Sequence, residues 1–165
     1  MKKLYYLLFA SVLFISCSTS RTVTISKNGK EEMLEVASSN VQFRDDFTHI
    51  PEEAKETFLK KHKANSNDYA MLFLTLGYKG EVVKVFSPSE IIYNGTTYTL
   101  KSNGIAGFMR VSNTQDVFVT DDYTKATALI NSKYLKKYKF VYIKKDNANK
   151  NEPYTITYSN NLRPL

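Results

Sequence analysis

The sequence predicts an α+β domain with about two helices and an antiparallel sheet of short strands that is strongly curved or closed as a small barrel. Short segments of alternating apolar and polar residues recur from Thr22 to the C-terminus, and such alternation is typical of strands. Asn-Gly pairs at 28–29 and 94–95 favour tight hairpin turns. The glycine motifs of parallel nucleotide-binding folds do not occur in the sequence.

The first predicted element is a hairpin. Residues 22–25 alternate threonine with valine and isoleucine, and the Asn-Gly pair at 28–29 supplies the turn. Residues 32–37 are the predicted return strand. Three glutamates at positions 31, 32 and 35 also fit a short helix, so this alternative stays open.

Two segments show the features of helices. Pro51–Lys63 begins with proline, continues with two glutamates and ends with lysines, which suits the two ends of the helix dipole. The second helix is predicted near Asp121–Leu135, with Asp121 or Asp122 as its N-cap.

The remaining segments are predicted as strands. Tyr69–Leu76 is apolar on both faces, which is typical of a central, fully covered strand. The Asn94-Gly95 pair predicts a second hairpin that joins 91–93 to 96–101. The other predicted strands are 81–86, 105–111, 116–120, 138–145 and 154–158.

The N-terminus has the layout of a secretory signal peptide. Lys2 and Lys3 precede an apolar run from Leu4 to Ile15, which is shorter than the ~20 residues that a membrane-spanning helix needs. The run ends Phe14-Ile15-Ser16-Cys17, which resembles the lipobox of bacterial lipoproteins.

The resemblance implies cleavage before Cys17, a diacylglycerol on its sulfur and an acyl chain such as palmitate on its new amino group. We therefore expect a signal peptide over 1–16, a lipidated cysteine with a short tether over 17–21, and a single globular domain over 22–165. The implied location is the bacterial cell envelope. The residues after Cys17 lack an acidic run, which favours the periplasmic side, in either the inner or the outer membrane.

The single cysteine narrows the chemistry of the mature domain. Cys17 is the one cysteine among 165 residues, and lipidation would use its thiol. A disulfide, a thiolate nucleophile and a thiolate metal site are then excluded. A lipoprotein has little access to nucleic acid. The net charge of +7, which falls to +5 without Lys2 and Lys3, favours loose attraction to anionic surfaces but identifies no partner.

The candidate acid–base and metal residues have simpler structural explanations. His49 and His62 lie at opposite ends of the predicted first helix, which makes a poor shared metal site. Asp45-Asp46 and Asp121-Asp122 precede predicted helices, where capping explains them. The loop DNANKNE at 146–152 lacks the glycine and oxygen-ligand spacing of a calcium loop. We therefore expect no catalytic residues, metal or cofactor.

A lysine-rich stretch is the most distinctive predicted surface feature. Because aromatic residues interleave with it, it could contact anionic lipid headgroups or other acidic envelope polymers. The alternative is that these lysines are solvated faces that discourage edge aggregation. The candidate contact residues are Lys133, Lys136, Lys137, Lys139, Lys144 and Lys145.

These observations favour a lipid-anchored, non-enzymatic binding or interaction module whose partner is an envelope protein or an apolar or anionic envelope ligand. One alternative is an enzyme that acts on an envelope polymer through Asp45, Asp46, Asp121 or Asp122. Another alternative is a structural accessory of a membrane complex. An enzyme should bring two carboxylates, or a carboxylate and His49, into one cleft.

Overall fold

The computed structural model describes residues 20–27 and 30–165. The predicted signal peptide, Cys17 and the Asn28-Gly29 turn lie outside the described residues. The elements, in chain order, are β1 (Ser20–Lys27), β2 (Lys30–Ala37), β3 (Ser39–Phe43), α1 (Glu52–Lys61), β4 (Tyr69–Leu74), β5 (Lys79–Phe86), β6 (Ile91–Tyr98), β7 (Gly107–Ser112), β8 (Val117–Asp121), β9 (Thr127–Ile130), α2 (Ser132–Leu135), β10 (Phe140–Lys145) and β11 (Tyr154–Ser159).

Two sheets pack face to face around the main core. One sheet has the order β3-β11-β10-β4-β7 and the other β6-β5-β8-β9. Val83 and Val85 of β5 share this core with Val141 and Ile143 of β10. These residues lie two apart in each strand, so the period-2 alternation directs them all to the space between the sheets.

The outer faces of the sheets are covered by different elements. Leu59 of α1 packs in a second core with Met71, Phe73 and Phe140 from the outer face of the five-stranded sheet. The β1–β2 hairpin covers the outer face of the four-stranded sheet, where Ile25 and Val36 bury Phe118. The sandwich therefore has a helix on one side and a hairpin on the other.

The first hairpin, the first helix and the central strand confirm the prediction. β1 and β2 pair antiparallel over their whole length, which excludes the short-helix alternative at 31–35. Ser20 and Arg21, which we expected in the tether, are the first two residues of β1. The first helix starts after Pro51 with Glu52 and Glu53 in its first turn. β4 lies inside its sheet between β10 and β7, with five of its six residues buried.

The α+β class is confirmed, but two features of the predicted sheet differ. The pairs β4–β10 and β3–β11 are parallel, so the five-stranded sheet is mixed rather than antiparallel. The strands within the described residues form separate sheets, with no closed barrel among them.

The hairpin predicted at Asn94-Gly95 is wrong. β6 continues through both residues, and its Asn94 pairs with Lys84 of β5. The chain turns earlier instead, where Ser87 N–H donates to the Glu90 carbonyl over 2.9 Å. Pro88 lies inside this turn, and proline's fixed φ favours a turn where the chain must leave a strand.

The helix predicted near Asp121–Leu135 is also wrong, apart from the short α2. The segment contains the end of β8, a turn and β9. The carboxylate of Asp121 accepts from Tyr123 N–H over 2.8 Å, which closes a local turn, and Lys125 adopts a positive φ of 58°. The side-chain hydrogen bond thus supports a turn between strands instead of a helix.

Candidate functional site

An open cleft of about 840 Å³ lies at one end of the sandwich. Three segments surround it: the start of β5, the turn between β8 and β9, and the loop that joins β10 to β11. The two sheets therefore both contribute to the cleft, and its volume is within the range of small-ligand sites.

Glu81 and Lys145 form the floor of the cleft, and the buried Asp121, which does not line the cleft, pairs with Lys145. The Lys145 ammonium donates to Glu81 Oε1 over 2.5 Å and also to Asp121 Oδ2. The side chains of Lys145 and Asp121 are each 1% exposed, and that of Glu81 is 11% exposed. We call these three residues the charged triad.

Strand alternation explains how the triad forms. Lys145 ends the row of β10 residues that faces the other sheet, after Val141 and Ile143. Asp121 ends the corresponding row of β8, and Glu81 is two residues before the inward Val83 of β5. The triad therefore joins the five-stranded sheet to the four-stranded sheet at the rim of their shared core.

Both carboxylates of the triad are held in the ionised form. Burial acts to raise the pKa of Asp121, but hydrogen bonds from Lys145, Tyr123 N–H and Thr124 outweigh it, so the pKa lies below its ordinary value. Burial also acts to raise the pKa of Glu81, but the Lys145 hydrogen bond, backbone hydrogen bonds including that from Lys79 N–H, and the Lys145 charge together lower it. With two carboxylates and one ammonium, the triad carries one excess negative charge.

Two buried tyrosines stand next to the triad. Tyr154 donates its hydroxyl to the Ala126 carbonyl over 3.0 Å. The Tyr78 hydroxyl is buried without a hydrogen-bond partner among the described residues. Burial, together with the nearby Asp121 and Glu81 charges, raises the pKa of both phenols. Both tyrosines therefore stay protonated at neutral pH.

The other predicted carboxylates and the histidines do not join the cleft. Asp45 accepts from Ser159 Oγ over 2.5 Å, and this hydrogen bond lowers its pKa. Asp46 pairs with Arg44 over 2.8 Å. His62 packs on the Phe58 ring, 4.5 Å between centroids. In the part of the chain that the structure describes, no group of three or more histidine, cysteine or carboxylate side chains could hold a metal ion.

The capping role predicted for Asp121 and Asp122 is corrected. Asp121 is buried in the triad at the end of a strand, so it does not cap a helix. Asp122 is exposed and lies 3.8 Å from the Lys125 ammonium. Asn131 is the side-chain cap of the short α2, because its Oδ1 accepts from Lys133 N–H over 2.9 Å.

Two of the six lysines predicted to contact an anionic surface are not exposed. The prediction of a surface role for Lys145 is wrong, because its side chain is buried in the charged triad. Lys139 is half-buried, and its ammonium donates to the carbonyls of Ser66 and Tyr69. Burial lowers its pKa. The exposed members are Lys133, Lys136, Lys137 and Lys144, and their contact with an anionic surface stays a prediction.

Sequence reasoning missed Glu81 and the burial of Lys145. The available signal was their spacing: each charged residue lies two positions from an apolar residue on an inward-facing row. A charged side chain at such a position points towards the end of the core and requires an oppositely charged partner. Two inward acids and one inward lysine are a set that satisfies this requirement.

Comparison with known proteins gives no assignment for this arrangement. No protein-family model, curated protein or solved structure matches the chain. Neither helix within residues 20–27 and 30–165 is long and apolar enough to cross a membrane.

Proposed function

We propose that the chain is a lipid-anchored protein of the bacterial envelope and that its domain is a non-enzymatic binding module. The binding surface is the cleft at the end of the sandwich. The observation that carries the proposal is that Glu81, which lines the cleft, and the buried Asp121 are both paired with Lys145. The cleft thus has an open mouth, and the carboxylates at its floor are held in the ionised form by their cation.

An acid–base enzyme would need a different floor. Glycoside hydrolysis by two carboxylates requires one of them to carry a proton, which depends on a raised pKa. The pKa values of Glu81 and Asp121 are both lowered. Neither His49 nor His62 lines the cleft. Binding is therefore the better use of this geometry.

The mouth of the cleft favours a polar ligand with an exposed apolar face. Tyr123 stands at the mouth with 86% of its surface exposed. Lys79, Lys150, Asn147 and Asn149 line the same opening. An exposed aromatic ring offers a stacking surface, while ammonium and amide groups offer hydrogen bonds to hydroxyl and acidic groups. An envelope polysaccharide combines these features.

Replacing Cys17 with serine tests the location. The substitution removes the thiol that would carry the lipid, so most of the protein should move from the membrane fraction to the soluble fraction, because stable anchoring takes two acyl chains. The measurement is fractionation of cells followed by immunodetection, with Ser18→Ala as the matched control. Retention of the Cys17→Ser protein in membranes would contradict the lipid anchor.

A retention assay on an insoluble envelope polysaccharide such as peptidoglycan tests the activity. The full chain in detergent should sediment with the polymer and release no soluble fragments by mass spectrometry. Tyr123→Ala should bind roughly fivefold more weakly, as expected for the loss of about 1 kcal/mol. Ile91→Ala, which removes an exposed side chain from β6, is the control and should bind normally.

Two other results would favour the alternatives. Release of fragments by the unmodified protein, abolished by Glu81→Gln, would establish an enzyme. Absence of retention together with stoichiometric co-purification with a membrane complex would establish a structural accessory.

A further inference from the structure

A second cleft, of about 530 Å³, lies on the outer face of the five-stranded sheet. It is formed by β3, β10, β11, the loop at 103–105 and the C-terminal segment. The register aligns Gln42, Thr157 and Tyr142 across three neighbouring strands. This face lies on the opposite side of β10 from the charged triad, because Tyr142 and Lys144 alternate with Ile143 and Lys145.

Arg163 is held at this cleft by two aromatic rings. Its guanidinium carbon lies 4.3 Å from the centroid of Phe47 and 4.3 Å from that of Tyr142. The backbone N–H of Arg163 also donates to the Tyr142 hydroxyl over 3.0 Å. The two rings are nearly perpendicular to each other, with an interplanar angle of 82°, and their cation–π contacts restrain the guanidinium before any ligand arrives.

The guanidinium has no anionic partner among the described residues. Over the described ranges, none of the ion pairs or side-chain hydrogen bonds involves the Arg163 guanidinium, and its Nε is buried without an acceptor. Burial lowers its pKa. A partly buried cation without a counter-ion is costly, and the Nη donors, which are not buried, are available to a ligand.

The rest of the cleft suits an anion. Lys144 lines it from β10 and is exposed, and Thr155 and Thr157 line it from β11. None of its described lining residues is acidic. Two cations and two hydroxyl groups thus converge on a volume that is large enough for a small molecule.

We propose that this cleft is a second binding site, which takes a small ligand through a carboxylate or phosphate group, with Arg163 as the principal anion contact. The guanidinium fork matches the paired oxygens of either group and forms two parallel hydrogen bonds. Lys144 adds a point charge, and Thr155 and Thr157 add neutral donors. The site is independent of the cleft in the proposed function, because it lies on the other face of β10.

The test is an NMR titration of the full chain in uncharged detergent at constant ionic strength. The probes are inorganic phosphate and, in parallel, sodium acetate. Saturable shifts are expected at the Arg163 Nε–H and at the amides of Thr155 and Thr157. Saturation by phosphate alone, by acetate alone or by both supports the site and identifies the group that it prefers.

Three variants show whether the shifts come from this site. Arg163→Gln should weaken binding at least about tenfold, as loss of a charge-assisted bidentate contact does. Lys144→Gln should weaken it about threefold, and this residue is exposed, so the fold is retained even if Arg163→Gln proves unstable. Arg110→Gln is the matched control, because the Arg110 guanidinium also stacks on an aromatic ring, 4.2 Å from Tyr69, outside the cleft.

The proposal is overturned by either of two results. One is that neither anion shifts the cleft resonances in the unmodified protein. The other is that Lys144→Gln and a folded Arg163→Gln titrate like the unmodified protein and Arg110→Gln, which would assign the shifts to general surface charge.

Discussion

Replacing Lys145 with methionine is expected to lower the free energy of unfolding by about 3–5 kcal/mol, because the change leaves two carboxylates buried without their cation. Methionine has a similar length, so lost packing contributes little to this effect. Urea denaturation followed by circular dichroism measures it. Lys144→Met is the control at the adjacent, exposed position of β10 and should change stability by less than about 0.5 kcal/mol.

The pH dependence makes this prediction specific to the triad. In the unmodified protein, the folded-state pKa values of Glu81 and Asp121 are lowered, so their contribution to stability is present above the ordinary carboxyl range and lost as pH falls through the folded values. Without Lys145, burial should raise both pKa values, so the variant should gain stability as pH falls from 7 towards about 5. Parallel pH profiles for the two proteins would contradict the buried triad.

Replacing Gly77 with alanine is expected to cost about 3 kcal/mol or more. Gly77 has a φ of +98°, and a Cβ there would lie 2.0 Å from the Lys145 carbonyl oxygen. That carbonyl cannot easily move, because Lys145 N–H donates to the Leu76 carbonyl over 2.9 Å. The backbone conformation and the steric contact therefore both oppose a side chain at this position.

Thermal melting of Gly77→Ala beside Gly107→Ala measures this cost. Gly107 lies in β7, and a Cβ there would meet nothing within 4 Å. Gly107→Ala should therefore melt within a few degrees of the unmodified protein, while Gly77→Ala should melt well below it. Equal melting temperatures for the two variants would show that the chain can relax around Gly77.

The alternation of apolar residues was sufficient to predict most strands. Val83 and Val85, or Val141 and Ile143, lie on one face in any regular strand, so burial of that face follows from local sequence. The Asn94-Gly95 pair misled the prediction because its hairpin preference is only local. The chain reverses at the Ser87–Glu90 turn instead, and pairing with β5 satisfies the backbone hydrogen bonds of β6. The strand therefore continues through Gly95 without a turn.

The parallel pairs were beyond local prediction. β3 pairs in parallel with β11, with Val41 opposite Ile156. Nothing in either segment specifies a partner so distant in the chain. The choice depends on how the whole core closes. For that reason the α+β class could be predicted while the mixed sheet could not.

Two of the three triad residues could be singled out from the sequence, but their arrangement could not. Asp121 and Lys145 were both noted in the sequence, one as a helix cap and the other as a surface charge. Adjacent residues in a strand face opposite ways, so Lys144 and Lys145 cannot serve one surface. A binding role for Arg163 could not be predicted from the sequence, because the two rings that hold it, Phe47 and Tyr142, approach it only in the folded chain.

The β1–β2 hairpin determines how the domain would respond to mechanical load. Ser20 pairs with Ala37, so a pull on the N-terminal end of β1 acts beside the point where the chain enters the rest of the domain. Antiparallel hydrogen bonds are perpendicular to the strands, and a force in this geometry opens them one pair at a time, like a zipper. Tension from the proposed anchor would thus separate β1 from β2 and lengthen the tether before it disrupted the two packed sheets.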